Sequence, residues 1–129
     1  MFRHISLGVQ DLSKAVHFYD EVMKTLGHNR LFGDIEEEFM AYGPKDSFFI
    51  ICTPLEADKS TPEPCNATHL CFAANSKEDV DNFHKMALNM GGADAGAPGL
   101  RPCYSEDYYA AFVYDLDGHK IEAVAYVSS

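Results

Sequence analysis

The chain has 129 residues, enough for one compact domain around a single core and too few for a second. Hydrophobic residues make up 47% and aromatics 12%, which excludes wholesale disorder, and 10 basic against 20 acidic side chains leave a formal charge of −10, which argues against nucleic acid and anionic membrane as partners. No apolar run approaches the ~20 residues of a membrane helix, and Arg3 and His4 stand where a secretory leader would be apolar, so the chain reads as soluble and cytoplasmic, with Cys52, Cys65, Cys71 and Cys103 reduced.

From His4 the residues alternate, with Ile5, Leu7 and Val9 on one side and His4, Ser6 and Gly8 on the other, which predicts a strand. Asp11 follows as a helix N-cap, and Leu12, Ala15, Val16, Tyr19, Val22, Met23 and Leu26 recur at helical spacing until Gly27. Three strand-like runs come next, over 28–32, 38–42 and 48–53. The stretch 55–65, bounded by Pro54 and rich in charge and proline, reads as a linker between a first module, 1–54, and a second, 66–129.

The second module repeats the first. His69, Cys71 and Ala73 alternate with Leu70, Phe72 and Ala74, Ser76 is an N-cap, and Val80, Phe83, Ala87 and Met90 form a helical stripe that stops at Gly91-Gly92. A short strand near Ala93 and longer ones over 108–114 and 120–126 complete it, with a loop over 96–107. Matching the turn at 43–46 to 114–117 sets Ile51 against Glu122. An internal repeat of this kind dictates the architecture: an α+β fold of two βαβββ modules side by side, sharing one interior. If the more apolar strand faces meet the helices, the opposite faces line a concavity holding His4, His69 and Glu122 among small residues, with the segment from Arg101 to Tyr109 reaching over its rim. Of the other histidines, His17 and His84 are placed on or near solvated helix faces, and Glu36 to Glu38 in a solvated loop.

The run from His4 to Tyr19, the second histidine at 69 and the stretch from Asp115 to Glu122 resemble the vicinal oxygen chelate superfamily, which includes glyoxalase I, extradiol dioxygenases, fosfomycin-inactivating transferases and bleomycin-resistance proteins. The resemblance implies a glyoxalase-like fold, a homodimer, and a divalent metal (Zn, Mn, Fe or Ni) held by His4, His69 and Glu122. Ile51 stands where glyoxalase I-like members carry a metal-binding glutamate, which argues against that enzyme's own reaction. Two imidazoles and one carboxylate leave coordination positions open for two adjacent oxygens of a small substrate. Arg101 is a candidate partner for a substrate carboxylate or phosphonate, and Tyr104, Tyr108 and Tyr109 are candidate proton donors, with Ile51 in the pocket wall. The implied chemistry is lyase or isomerase, dioxygenase or thiol transferase, and the competing reading is a metal-free protein that sequesters a ligand as bleomycin-resistance members do.

Overall fold

The computed structural model describes residues 1–54, 64 and 67–127. Each module begins with a strand and a helix fixed by a side-chain cap. In the first, β1 (His4–Gly8) leads to α1 (Leu12–Lys24), whose free N–H at Lys14 donates to the Asp11 carboxylate at 3.1 Å. In the second, β5 (His69–Ala73) leads to α2 (Lys77–Asn89), where Asp79 N–H donates to Ser76 Oγ at 3.2 Å. Three strands follow each helix: β2 (Arg30–Asp34), β3 (Phe39–Tyr42) and β4 (Phe48–Cys52), then β6 (Ala93–Leu100), β7 (Tyr108–Tyr114) and β8 (Lys120–Tyr126). The linker expected over 55–65 lies, apart from Pro64, outside the described residues, as does Cys65; Cys52, Cys71 and Cys103 are free thiols.

The modules form two four-stranded sheets of matching order, β1-β4-β3-β2 and β5-β8-β7-β6, with β1 parallel to β4 and β5 parallel to β8. Each sheet turns one face to the helices and leaves the other open. On the helix side Val9, Tyr19, Val22, Tyr42, Phe49 and Ile51 join Val80, Phe83, Val113 and Ile121 in one continuous core, so neither module buries its apolar face alone. Phe49 meets Phe72 edge-on at 5.3 Å across the junction.

Polar contacts pin the same junction. The turn after β7 places the Asp115 carboxylate, 5% exposed, against the Tyr19 hydroxyl at 2.6 Å, while its other oxygen accepts the N–H groups of Asp117 and His119. Gln10 N–H donates to Asp117 Oδ1 at 2.8 Å, and His119 Nε2 lies 2.7 Å from the Gly8 carbonyl. Burial, and then the Asp115 charge, raise the Tyr19 phenol well above its ordinary pKa, so it stays a proton donor.

Three expectations are corrected. Cys71 stands opposite Glu122 and Ser6 opposite Ile50, so the counterpart of Glu122 in the first module is Ile50, not Ile51. Matching the turns by residue type slips the register by one, and in a strand one residue moves a side chain to the other face. β6 runs on through Leu100, claiming the first residues of the expected 96–107 loop, because the irregular pairing at Gly96 and Gly99 lets the strand bend without ending. His84 is not on a solvated face: it is 9% exposed, with Nε2 2.9 Å from Asp94 Oδ1 on β6.

Candidate functional site

The open face of the second sheet gathers the polar chemistry. Parallel pairing of β5 with β8 sets His69 and Glu122 on this face, and their side chains meet with His69 Nε2 2.9 Å from Glu122 Oε1. Antiparallel pairing with β7 adds Tyr108, whose hydroxyl donates to Glu122 Oε2 at 2.5 Å. Both carboxylate oxygens are thus engaged, as a group only 2% exposed requires. Burial and then the hydrogen bond to Glu122 push the Tyr108 phenol above its ordinary range. Cys71 lies between, with Sγ 3.8 Å from the Tyr108 oxygen, and burial followed by the Glu122 charge raises its thiol to about 12, so it is held as a thiol.

Beside this group Phe112 is buried under three cationic or imidazole side chains. The His69 ring centroid is 5.8 Å away, Lys120 Nζ is 5.1 Å from the centroid and the Arg101 guanidinium 5.5 Å. A pocket of about 310 Å³ opens here, with His69, Lys120, Thr68 and Tyr114 in its wall.

The open face of the first sheet is different. His4 stacks on Phe48 at 5.1 Å, and Phe48 and Phe39 both pack edge-on against Phe32. His4 lines a separate groove of about 480 Å³ between the modules, with Phe2, Phe48, Leu70, Cys71 and Phe72 among its other walls. Among the described residues of one chain no three His, Cys, Asp or Glu side chains converge closely enough to hold a metal. The single chain therefore brings His69 and Glu122 together and leaves His4 apart from them.

The remaining expected site residues divide by strand parity. Tyr108 is at the centre, and Tyr104, 62% exposed, packs its ring 5.0 Å from it at the rim. Tyr109 does not reach the site: as the next residue of β7 it points to the helices, where its hydroxyl donates to Asp81 at 2.5 Å and Lys77 covers its ring. Ile51, fully buried in the core, is also outside any pocket wall on the open face. Arg101 is there, held by its own strand. Phe112 and Lys120 escaped the sequence reading, although each shares strand parity with a residue it named, Phe112 with Tyr108 and Lys120 with Glu122.

A model of the glyoxalase/bleomycin resistance protein/dioxygenase superfamily matches residues 2–123. The chain belongs to that superfamily. Among solved structures, a glyoxalase/bleomycin resistance protein from Albidiferax ferrireducens is 33% identical over 96% of this chain and 98% of its own, with a TM-score of 0.87. Two more distant structures share the fold. A lactoylglutathione lyase from Agrobacterium tumefaciens is 16% identical, covering 96% of this chain and 92% of its own at a TM-score of 0.65. A fosfomycin resistance protein from Listeria monocytogenes, complexed with Mn(II) and a dihydroxypropylphosphonic acid, is 18% identical over 98% and 90% at 0.67. A search of curated proteins gives no match. Membership fixes the scaffold, which in this superfamily serves unrelated reactions. No helix among the described residues is long and apolar enough to cross a membrane.

Proposed function

We propose that the protein is a cytoplasmic, homodimeric metalloenzyme that binds a divalent ion through His69 and Glu122 of one copy and His4 of another, and acts on a small oxygenated molecule. The observation that carries this reading is the His69–Glu122 pair. Two ligand atoms bound at right angles to a first-row ion at about 2.1 Å stand about 3.0 Å apart, and His69 Nε2 and Glu122 Oε1 are 2.9 Å apart on neighbouring strands. A nitrogen and a carboxylate oxygen suit Zn, Mn, Fe or Ni alike. The third donor comes from His4, which sits on the open face of the first module as His69 does on the second. A two-fold dimer that sets one copy's first module over the other's second module delivers His4 and the Phe32–Phe48 aromatic wall to the acid–imidazole pair.

Each side chain then has a task. Glu122, buried and doubly engaged, supplies a fixed negative charge in a site of low dielectric. Tyr108 orients that carboxylate by holding Oε2, which leaves Oε1 turned toward His69. A bound ion supplies Lewis-acid polarisation of two adjacent substrate oxygens and stabilises negative charge that develops on them. Because Ile50, the counterpart of Glu122, carries no donor, the first module offers no second carboxylate, which points away from the glyoxalase I reaction and toward isomerase, oxygenase or thiol-transfer chemistry on a three-ligand centre.

The aromatic wall of Phe2, Phe32, Phe39 and Phe48 supports a second reading, a metal-free protein that sequesters an aromatic ligand. Elemental analysis of protein purified without a metal-affinity tag separates the two. The enzyme reading predicts near-stoichiometric metal that is lost in H69A and E122A; absence of metal after incubation with Mn, Fe, Ni and Zn leaves the sequestering protein.

A further inference from the structure

Cations are scarce in this acidic chain, and several are neutralised by a neighbour: Arg30 by Asp20 at 2.7 Å, Lys24 by Glu21 at 3.7 Å and Lys77 by Asp81 at 3.4 Å. The open face of the second sheet breaks that pattern. Arg101 and Lys120 both lie over the Phe112 ring, and among the described residues neither has a carboxylate at salt-bridge distance.

Arg101 is held there by a built cradle. Its Nη1 donates to the Gly99 carbonyl at 2.9 Å and its Nη2 to the Ala97 carbonyl at 2.8 Å. A Cβ at Gly96 would come within 3.2 Å of Nη2 and one at Gly99 within 3.3 Å of Nη1, so the two glycines make the room that the guanidinium occupies. Two of its five N–H donors are used, and the other three remain for a ligand. Lys120, on β8, contributes a mobile ammonium with three more donors beside His69. Two cations gathered on one face without a counter-charge repel each other, and an anion between them removes that cost.

We infer that Arg101 and Lys120 form an oxyanion subsite that takes the carboxylate or phosphonate end of the substrate, a reading that rests on this face being the substrate site. The same ring centroid lies within 5.8 Å of His69, the Arg101 guanidinium and Lys120 Nζ, so the anionic end and the chelating oxygens belong to one short molecule. The substrate class is thereby a small organic acid with two adjacent oxygens. Arg101 fixes the orientation of the anion through paired N–H donors, and Lys120 supplies a less directional charge.

The test is an NMR titration of the whole, metal-free protein with methylphosphonate and, separately, propionate, following the Arg101 Nε, Phe112 ring and His69 signals. Saturable shifts are expected with at least one probe, and the one bound more tightly identifies the anion's chemistry. K120Q and R101Q are each expected to weaken that probe about tenfold, as loss of one charge-assisted contact does, and H69A to change it less than about twofold. R101K, which keeps the charge but not the cradle's hydrogen bonds, is expected to fall between wild type and R101Q, and K120Q leaves the cradle intact, so a folding defect in one arginine variant does not decide the outcome. Absence of saturable shifts with either probe, or equal binding by wild type, K120Q and R101Q, overturns the subsite. Mn(II) titration of the same samples reports on the metal separately: probe binding without Mn(II) uptake retires the metal and keeps the subsite, and Mn(II) uptake without any effect of Arg101 or Lys120 on the probes does the reverse.

Discussion

The two modules have the same strand order and the same parallel pairing, yet their open faces differ in kind. The first presents His4 among Phe32, Phe39 and Phe48, an apolar wall with a single nitrogen donor. The second presents His69, Glu122, Tyr108, Lys120 and Arg101 around Phe112, a polar face with every buried oxygen satisfied. The backbone repeat is shared because each module needs the other to complete its core, while the open faces carry no such obligation and are free to diverge. One face holds charge and the other supplies shape.

The largest expected effect tests which side chains of β4 belong to which face. I51E places a carboxylate in the fully buried core and is expected to cost about 4 kcal/mol or more, whereas I50E, on the open face opposite Ser6, is expected to cost less than about 1 kcal/mol. Urea denaturation of both variants reads the difference, and equal losses would return Ile51 to the open face. Next in size is the joint between the modules. D115A orphans the buried Tyr19 hydroxyl and two turn N–H groups and is expected to lower stability by about 3 kcal/mol, with a single transition because the core is continuous. Two separate transitions in wild type would contradict the shared interior.

The smallest effect concerns the flank of the first module. Burial alone raises the Asp20 carboxyl, but hydrogen bonds from Arg30 and Tyr42 outweigh it and hold the group below its ordinary range. A depressed folded pKa contributes stability above the unfolded carboxylate range, and that contribution is lost as pH falls through the folded value. D20N is therefore expected to be less stable than wild type near neutral pH, by less than about 1 kcal/mol for so exposed a pair, and equal to it in strong acid. A gap that grows on acidification, measured by denaturant midpoints across pH, reverses the sign and refutes the assignment.

Much of this was legible in the sequence because periodicity and caps are local. Asp11 and Ser76 announce their helices, and alternation around His4 and His69 sorts each strand's faces correctly. What failed was non-local. The register of β4 depends on pairing with β1 rather than on the turn before it, so Ile51 was taken for Ile50, and Tyr109 was grouped with Tyr108 although consecutive strand residues face opposite ways. His84 reads as a helix-surface histidine until β6 brings Asp94 against it. The separation of His4 from His69 and Glu122 within one chain depends on how whole modules pack, which no local pattern encodes.

The most direct measurement of the proposed centre is metal uptake by a mixture of two defective variants, H4A and E122A, unfolded and refolded together. If the ligands come from two copies, random pairing makes about half the dimers mixed, each with one intact site, so uptake is expected to return to about a quarter of the wild-type level while each variant alone stays near zero. A mixture that binds no more Mn(II) than its components would show that His4 does not complete the His69–Glu122 pair from another copy.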